Sequence, residues 1–234
     1  MSRPIGWQFY FFVLGYAVEH VGNSLLIYRL YKQKNVYGVS IDAQICLLIA
    51  AMSRAVWFDD TRLSGLWFAW AEIGSAIILH LGILWMMHVY KDSLLTKKVP
   101  VYFRWYSILL AAIFLSCMLH PGNKNPLYFV TKQMFVSLTM FIETLSFVAQ
   151  LEHTKANEAV DGLNKGYLTC LGISRFIRIA FWMAYKSKIY AFWFLLLCDI
   201  IHTILLCVFW RNYLVLQKSL NSRPILAFHE KRSD

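Results

Sequence analysis

Apolar runs about as long as a bilayer is thick follow one another through most of this 234-residue chain, separated only by short polar connectors. A helix of about 20 residues crosses the hydrocarbon core, and every backbone polar group inside it must bond within its own segment. A chain patterned this way folds as packed transmembrane helices. The pattern predicts seven spans, at about 5–27, 42–58, 65–89, 102–119, 126–151, 164–185 and 189–214. No soluble domain fits between them, so residues 1–234 are read as a single all-α membrane domain. The first run begins near Ile5, carries Glu19 and His20, and lacks a small-residue cleavage site, which predicts a retained first helix.

Composition narrows the function classes. The chain is 59% hydrophobic with a formal charge of +10. A basic balance of that size can signal nucleic acid, but here the cations sit mainly in short loops, where membrane topology puts them, and no nucleic-acid partner is expected. One side collects Arg29, Lys32, Lys34, Lys91, Lys97, Lys98, Arg104, Lys155, Lys165, Arg211, Lys218, Arg223, Lys231 and Arg232. The other has Arg3, Arg62, Lys124, Lys186 and Lys188. This asymmetry predicts a cytosolic C-terminus, and an odd number of spans then puts the N-terminus in the lumen or outside. The five cysteines lie in apolar segments without metal-ligand spacing and read as free packing residues, so neither a disulfide framework nor a metal site is expected.

Within this apolar background, two segments are anomalous. The run from Gly166 to Tyr185 carries Arg175 and Arg178, and Ser53-Arg54 in the second span repeats Ser174-Arg175. A cation at membrane depth is tolerated only beside a partner or a wet cavity. Glu19 precedes Arg54 by 35 residues and Glu143 precedes Arg175 by 32. The repetition suggests two three-helix units, 1–89 and 126–214, around a linker helix at 102–119, with a tail at 215–234. This is the SWEET/PQ-loop-like arrangement, whose site lies between the units near the midplane.

Two roles are open to Arg54 and Arg175. Each guanidinium fork can capture an anionic group such as a carboxylate, or each is neutralised by Glu19 or Glu143 and ties helices together. The cost of intramembrane charge favours the first. Arg178, one turn beyond Arg175, either widens the same basic surface or lies in water nearer the lumen. Glu143 and Gln150 share one face of the fifth span, either countering the arginines beside a ligand or forming an interhelical tie. Trp57 and Trp182 follow the arginines closely enough to wall a pocket. Glu72, Asp199, His80 and His202 are the other polar groups within spans, and they show no metal-ligand spacing. Phosphate loops, nucleophile elbows and paired catalytic carboxylates are all missing from the sequence, so neither an enzyme nor a cofactor is expected.

Several of these residues also form a series. Gly38-Val39-Ser40 with Gln44, followed by Arg54, and then Glu143 with Gln150, Leu171-Gly172 and Arg175 through Trp182, resembles the KDEL receptor family, the receptors that retrieve escaped endoplasmic-reticulum proteins. The likeness runs through nearly all seven spans. It implies that Arg54 holds the terminal carboxylate of a lumenal cargo peptide and that Arg175 and Trp182 line the same lumenal cavity. It also implies residence in the endoplasmic reticulum and Golgi membranes, with vesicle coat proteins as cytosolic partners. The departures are specific. Trp57 and Gln133 stand where the family has acids, Phe12 where it has an arginine, Glu19 where it has a histidine, Ser174 and Arg178 where it has tyrosines, and Val208 where it has another acid. With those acids replaced and Arg178 added, a more basic cavity and an altered signal specificity are expected. The alternatives are a small-solute transporter of the same fold and a scaffold whose charges are purely structural.

Overall fold

The computed structural model describes residues 8–58, 67–93, 100–120, 134–157, 165–184 and 193–222. They form seven α-helices: α1 Gln8–Gln33, α2 Ile41–Phe58, α3 Trp67–Val89, α4 Trp105–Met118, α5 Met134–Asn157, α6 Lys165–Ala184 and α7 Trp193–Ser222. Two single-turn 3-10 helices, Lys91–Ser93 and Val101–Phe103, lie between α3 and α4, and no strand occurs among the described residues. The protein is an all-α membrane protein of seven helices. Four of them, α3, α5, α6 and α7, are each long and apolar enough to cross a bilayer. α1 and α2 also bury polar groups along their length: Glu19 and Asn23 on α1, and Asp42, Gln44 and Arg54 on α2.

Three helices outrun their predicted ends. α1 continues to Gln33, α5 to Asn157 and α7 to Ser222, because a polar stretch without Gly or Pro leaves the membrane without leaving the helix. α1 stops where Lys34 turns left-handed, at φ 51°, and returns its N–H to the Leu30 carbonyl at 2.9 Å. α4 is shorter than expected at 14 residues, because Arg104 is extended (φ −75°, ψ 149°) and divides it from the preceding 3-10 turn.

The largest interfaces pair α1 with α6 and α2 with α5, while α3 packs on both α1 and α2, and α7 on both α5 and α6. Burying apolar surface gives little drive between helices in lipid, so close approach depends on small residues and polar contacts. A Cβ added to Gly22 of α1 would stand 2.9 Å from the Cys170 Cβ and 3.4 Å from the Tyr167 carbonyl of α6. At Gly15, one would meet the Ser174 carbonyl at 3.3 Å. These glycines let the backbones of α1 and α6 approach and so bring Glu19 level with Arg175. Large apolar side chains such as Ile78, Trp85, Leu110, Phe114 and Phe176 face outward, as lipid contact requires.

One end of the bundle is laced by hydrogen bonds. Gln150 Nε2 donates to the Gly38 carbonyl at 2.6 Å, and its Oε1 accepts from the Ser40 N–H at 2.9 Å. The Val36 N–H bonds Ser93 Oγ at 3.0 Å, and Asp42 accepts from the Trp105 N–H at 3.1 Å. Gly38, at φ 85°, makes the turn that presents these groups.

Candidate ligand-binding site

α6 places Arg175 and Arg178 one turn apart, and both are fully buried, with 1% and 0% exposure. That burial removes the reading of Arg178 as a wet lumenal residue. At this depth the charges need partners, which come from three other helices. Glu143 Oε2 of α5 accepts from Arg175 Nη1 at 2.8 Å and from Arg178 Nη1 at 2.6 Å. Glu19 of α1 lies 3.4 Å from Arg175 Nη2, and Asp199 of α7 lies 3.0 Å from Arg178 Nη2. The other Asp199 oxygen accepts from Trp182 Nε1 at 2.6 Å.

Arg54 has a separate partner. It sits one turn before the end of α2, and its Nη2 meets Glu72 Oε1 of α3 at 2.8 Å. His20 Nε2 of α1 lies 3.2 Å from the same carboxylate oxygen and donates to the Glu72 carbonyl at 2.9 Å. Between the two ion-paired groups stands Tyr16. The guanidinium carbon of Arg54 lies 3.7 Å from the centroid of its ring and that of Arg178 4.7 Å, while its hydroxyl donates to Glu143 at 3.4 Å.

Three guanidiniums (Arg54, Arg175, Arg178) therefore meet four carboxylates (Glu19, Glu72, Glu143, Asp199), which overturns the expectation of a more basic cavity. The sequence spacing paired Glu19 with Arg54, but Glu19 pairs across the α1–α6 interface with Arg175, and Arg54 with Glu72. Glu143 counters Arg175 and Arg178, one of the two roles left open for it. Gln150 does not join them, because its amide is engaged by the loop at residues 38–40.

Glu19, Arg54 and Glu143 border one cavity, together with Tyr16, His20, Asn23 and His80. Its free volume of about 10 Å³ has room for about one water. Arg175 and Arg178 do not line this cavity but touch its wall, Arg175 at Glu143 and Glu19 and Arg178 at Glu143 and Tyr16, while Trp182 bonds Asp199 behind them. The Trp57 side chain and all of Gln133 lie outside the described residues. Glu72, Asp199, Tyr16 and His20 were not singled out from the sequence as site residues, although the rule that intramembrane acids need partners applied to the first two.

The site is built from buried guanidinium–carboxylate pairs, with no group of three or more His, Cys, Asp or Glu able to hold a metal among the described residues. The model of the ER lumen protein retaining receptor family matches residues 35–185. The chain belongs to that family. A search of curated proteins finds no match. As a member of the ER lumen protein retaining receptors, the protein is a multi-pass membrane protein of the endoplasmic reticulum and Golgi, in a family of receptors and not of enzymes. The matched stretch contains Arg54, Glu72, Glu143, Gln150, Arg175, Arg178 and Trp182. The α1 residues Tyr16, Glu19 and His20 and the α7 residue Asp199 complete the site from outside it.

Proposed function

We propose that this protein binds the free C-terminal carboxylate of lumenal cargo proteins at Arg54 and returns them from the Golgi to the endoplasmic reticulum. The observation that carries the reading is the state of Arg54. Its Nε–H lacks a partner, as in Arg175 and Arg178, but it alone of the three borders the cavity and is bonded to a single carboxylate. Arg175 and Arg178 are engaged by Glu143, Asp199 and Glu19, and they act as the frame that holds α6 to the rest of the bundle.

In this reading the N-terminus is lumenal and the C-terminus cytosolic, which puts the laced end of the bundle in the cytosol and the arginine network in the lumenal half. The packing of α3 on α1 and α2, and of α7 on α5 and α6, supports two three-helix units with α4 as the linker. A cavity of one water cannot admit a peptide, so binding selects a more open arrangement of the units. That shift is the signal available to vesicle coat proteins at the cytosolic face.

Signal specificity is altered relative to the family. Each carboxylate of the network already has a cationic neighbour, and Trp57 and Gln133 replace the family's acids, so no free acid is left among the described residues of the network for a cation on the cargo. The test is binding of pentapeptides ending in Xaa-Asp-Glu-Leu, as free acids and as amides. Free acids should bind and amides should not, with an apolar Xaa preferred to Lys. Equal binding of acids and amides overturns the receptor reading, and a preference for Lys overturns the altered specificity.

A further inference from the structure

We infer that Glu72 is a built-in substitute for the cargo carboxylate, exchanged for it at Arg54 on binding, and that Asn23 supplies a second donor to the incoming group. The inference rests on the proposed carboxylate receptor and adds how its site is kept closed and what opens it.

Two independent features point this way. The first is that Glu72 already occupies a carboxylate seat, with Oε1 2.8 Å from Arg54 Nη2 and 3.2 Å from His20 Nε2. His20 is held there by the Glu72 main-chain carbonyl at 2.9 Å. A carbonyl oxygen only accepts, so Nε2 carries a proton and stays in place when the side chain moves. The second is that two donors at the adjoining cavity lack partners, although Glu19 and Glu143 also line it. Arg54 Nε and Asn23 Nδ2 are buried, border that cavity and have no partner, in residues only 3% and 2% exposed. Unpaired donors at such depth are costly, and two of them facing one cavity call for an acceptor.

An entering carboxylate satisfies both donors. The charge balance at Arg54 explains why it takes the place of Glu72 and does not simply add to it. The network already has four carboxylates for three guanidiniums, so a fifth beside Arg54 would meet a charge already neutralised. Exchange keeps one carboxylate opposite Arg54, and Glu72 moves off the guanidinium while staying near His20. The strength of the Arg54–Glu72 contact then sets the threshold for cargo, because every ligand must outcompete an internal carboxylate.

The test uses the full-length protein in nanodiscs and the same free-acid and amide pentapeptides. Glu72→Gln removes the competing charge and should tighten free-acid binding by about tenfold or more, with amides unchanged. Asn23→Leu should weaken free-acid binding by about tenfold while leaving amides unchanged. Where Glu72→Gln does not give folded protein, Glu72→Asp shortens the internal carboxylate by one methylene and should tighten free-acid binding in the same direction. If the wild type prefers acids to amides and the folded Glu72 variant binds acids no more tightly, the exchange is wrong and the receptor reading stands. If neither protein prefers acids, both fall.

Discussion

Arg175 and Arg178 share a single oxygen of Glu143, at 2.8 and 2.6 Å. One carboxylate on α5 thus holds two cations one turn apart on α6, and its other oxygen receives the Tyr16 hydroxyl of α1 at 3.4 Å. Glu143 is the junction of three helices. Glu143→Gln should destabilise the detergent-solubilised protein by about 3–5 kcal/mol, because two buried guanidiniums lose their common counter-charge. A thermal unfolding series should show that Arg178→Met in the Glu143→Gln background recovers part of the loss. An unchanged melting temperature in the single variant contradicts the assignment.

The ring of Tyr16 lies against Arg54 and Arg178, from different helices. Tyr16→Phe keeps the ring and should cost about 1 kcal/mol, the value of the hydroxyl bond. Tyr16→Leu also removes both cation–π contacts and should cost about 2 kcal/mol more. Equal losses for the two variants would place the whole contribution in the hydroxyl.

At Gly22, a methyl group would collide with Cys170 of α6. Gly22→Ala should therefore loosen the α1–α6 interface and cost about 1–3 kcal/mol, read from thermal unfolding. Cys170→Gly in the same chain should relieve it. Gly74→Ala on α3, where a Cβ meets nothing within 4 Å, is the matched control and should be neutral or mildly stabilising.

Gln150 satisfies the Gly38 carbonyl and the Ser40 N–H through one amide. Gln150→Leu leaves both backbone groups unpaired and should cost about 2–4 kcal/mol. Hydrogen exchange should show faster exchange of the Ser40 amide, with the α6 amides around Arg175 unaffected. Unchanged Ser40 protection would mean that the loop holds without this bond.

The fold was legible because period and length suffice for membrane helices, and the arginines stood out because a cation is anomalous in an apolar run. Their partners were less legible. Spacing along the chain paired Glu19 with Arg54, but the partner of a buried charge is set by which helices pack, and the close α1–α6 approach at Gly22 takes Glu19 to Arg175 instead. Glu72 lies 18 residues beyond Arg54 on the next helix, a hairpin relation that composition alone does not reveal. Helix ends were misjudged where polarity was read as termination, as in the run from Glu152 to Asn157 that continues α5.

The most direct measurement is peptide binding by Arg54→Lys beside Arg54→Ala and the wild type, in folded protein. Lysine keeps the charge opposite Glu72 but lacks the planar fork that takes a carboxylate through two bonds. The account predicts that both variants lose free-acid binding, by about 2–5 kcal/mol, while expression and melting temperature change less in Arg54→Lys than in Arg54→Ala. Free-acid binding by Arg54→Lys equal to that of the wild type would contradict it.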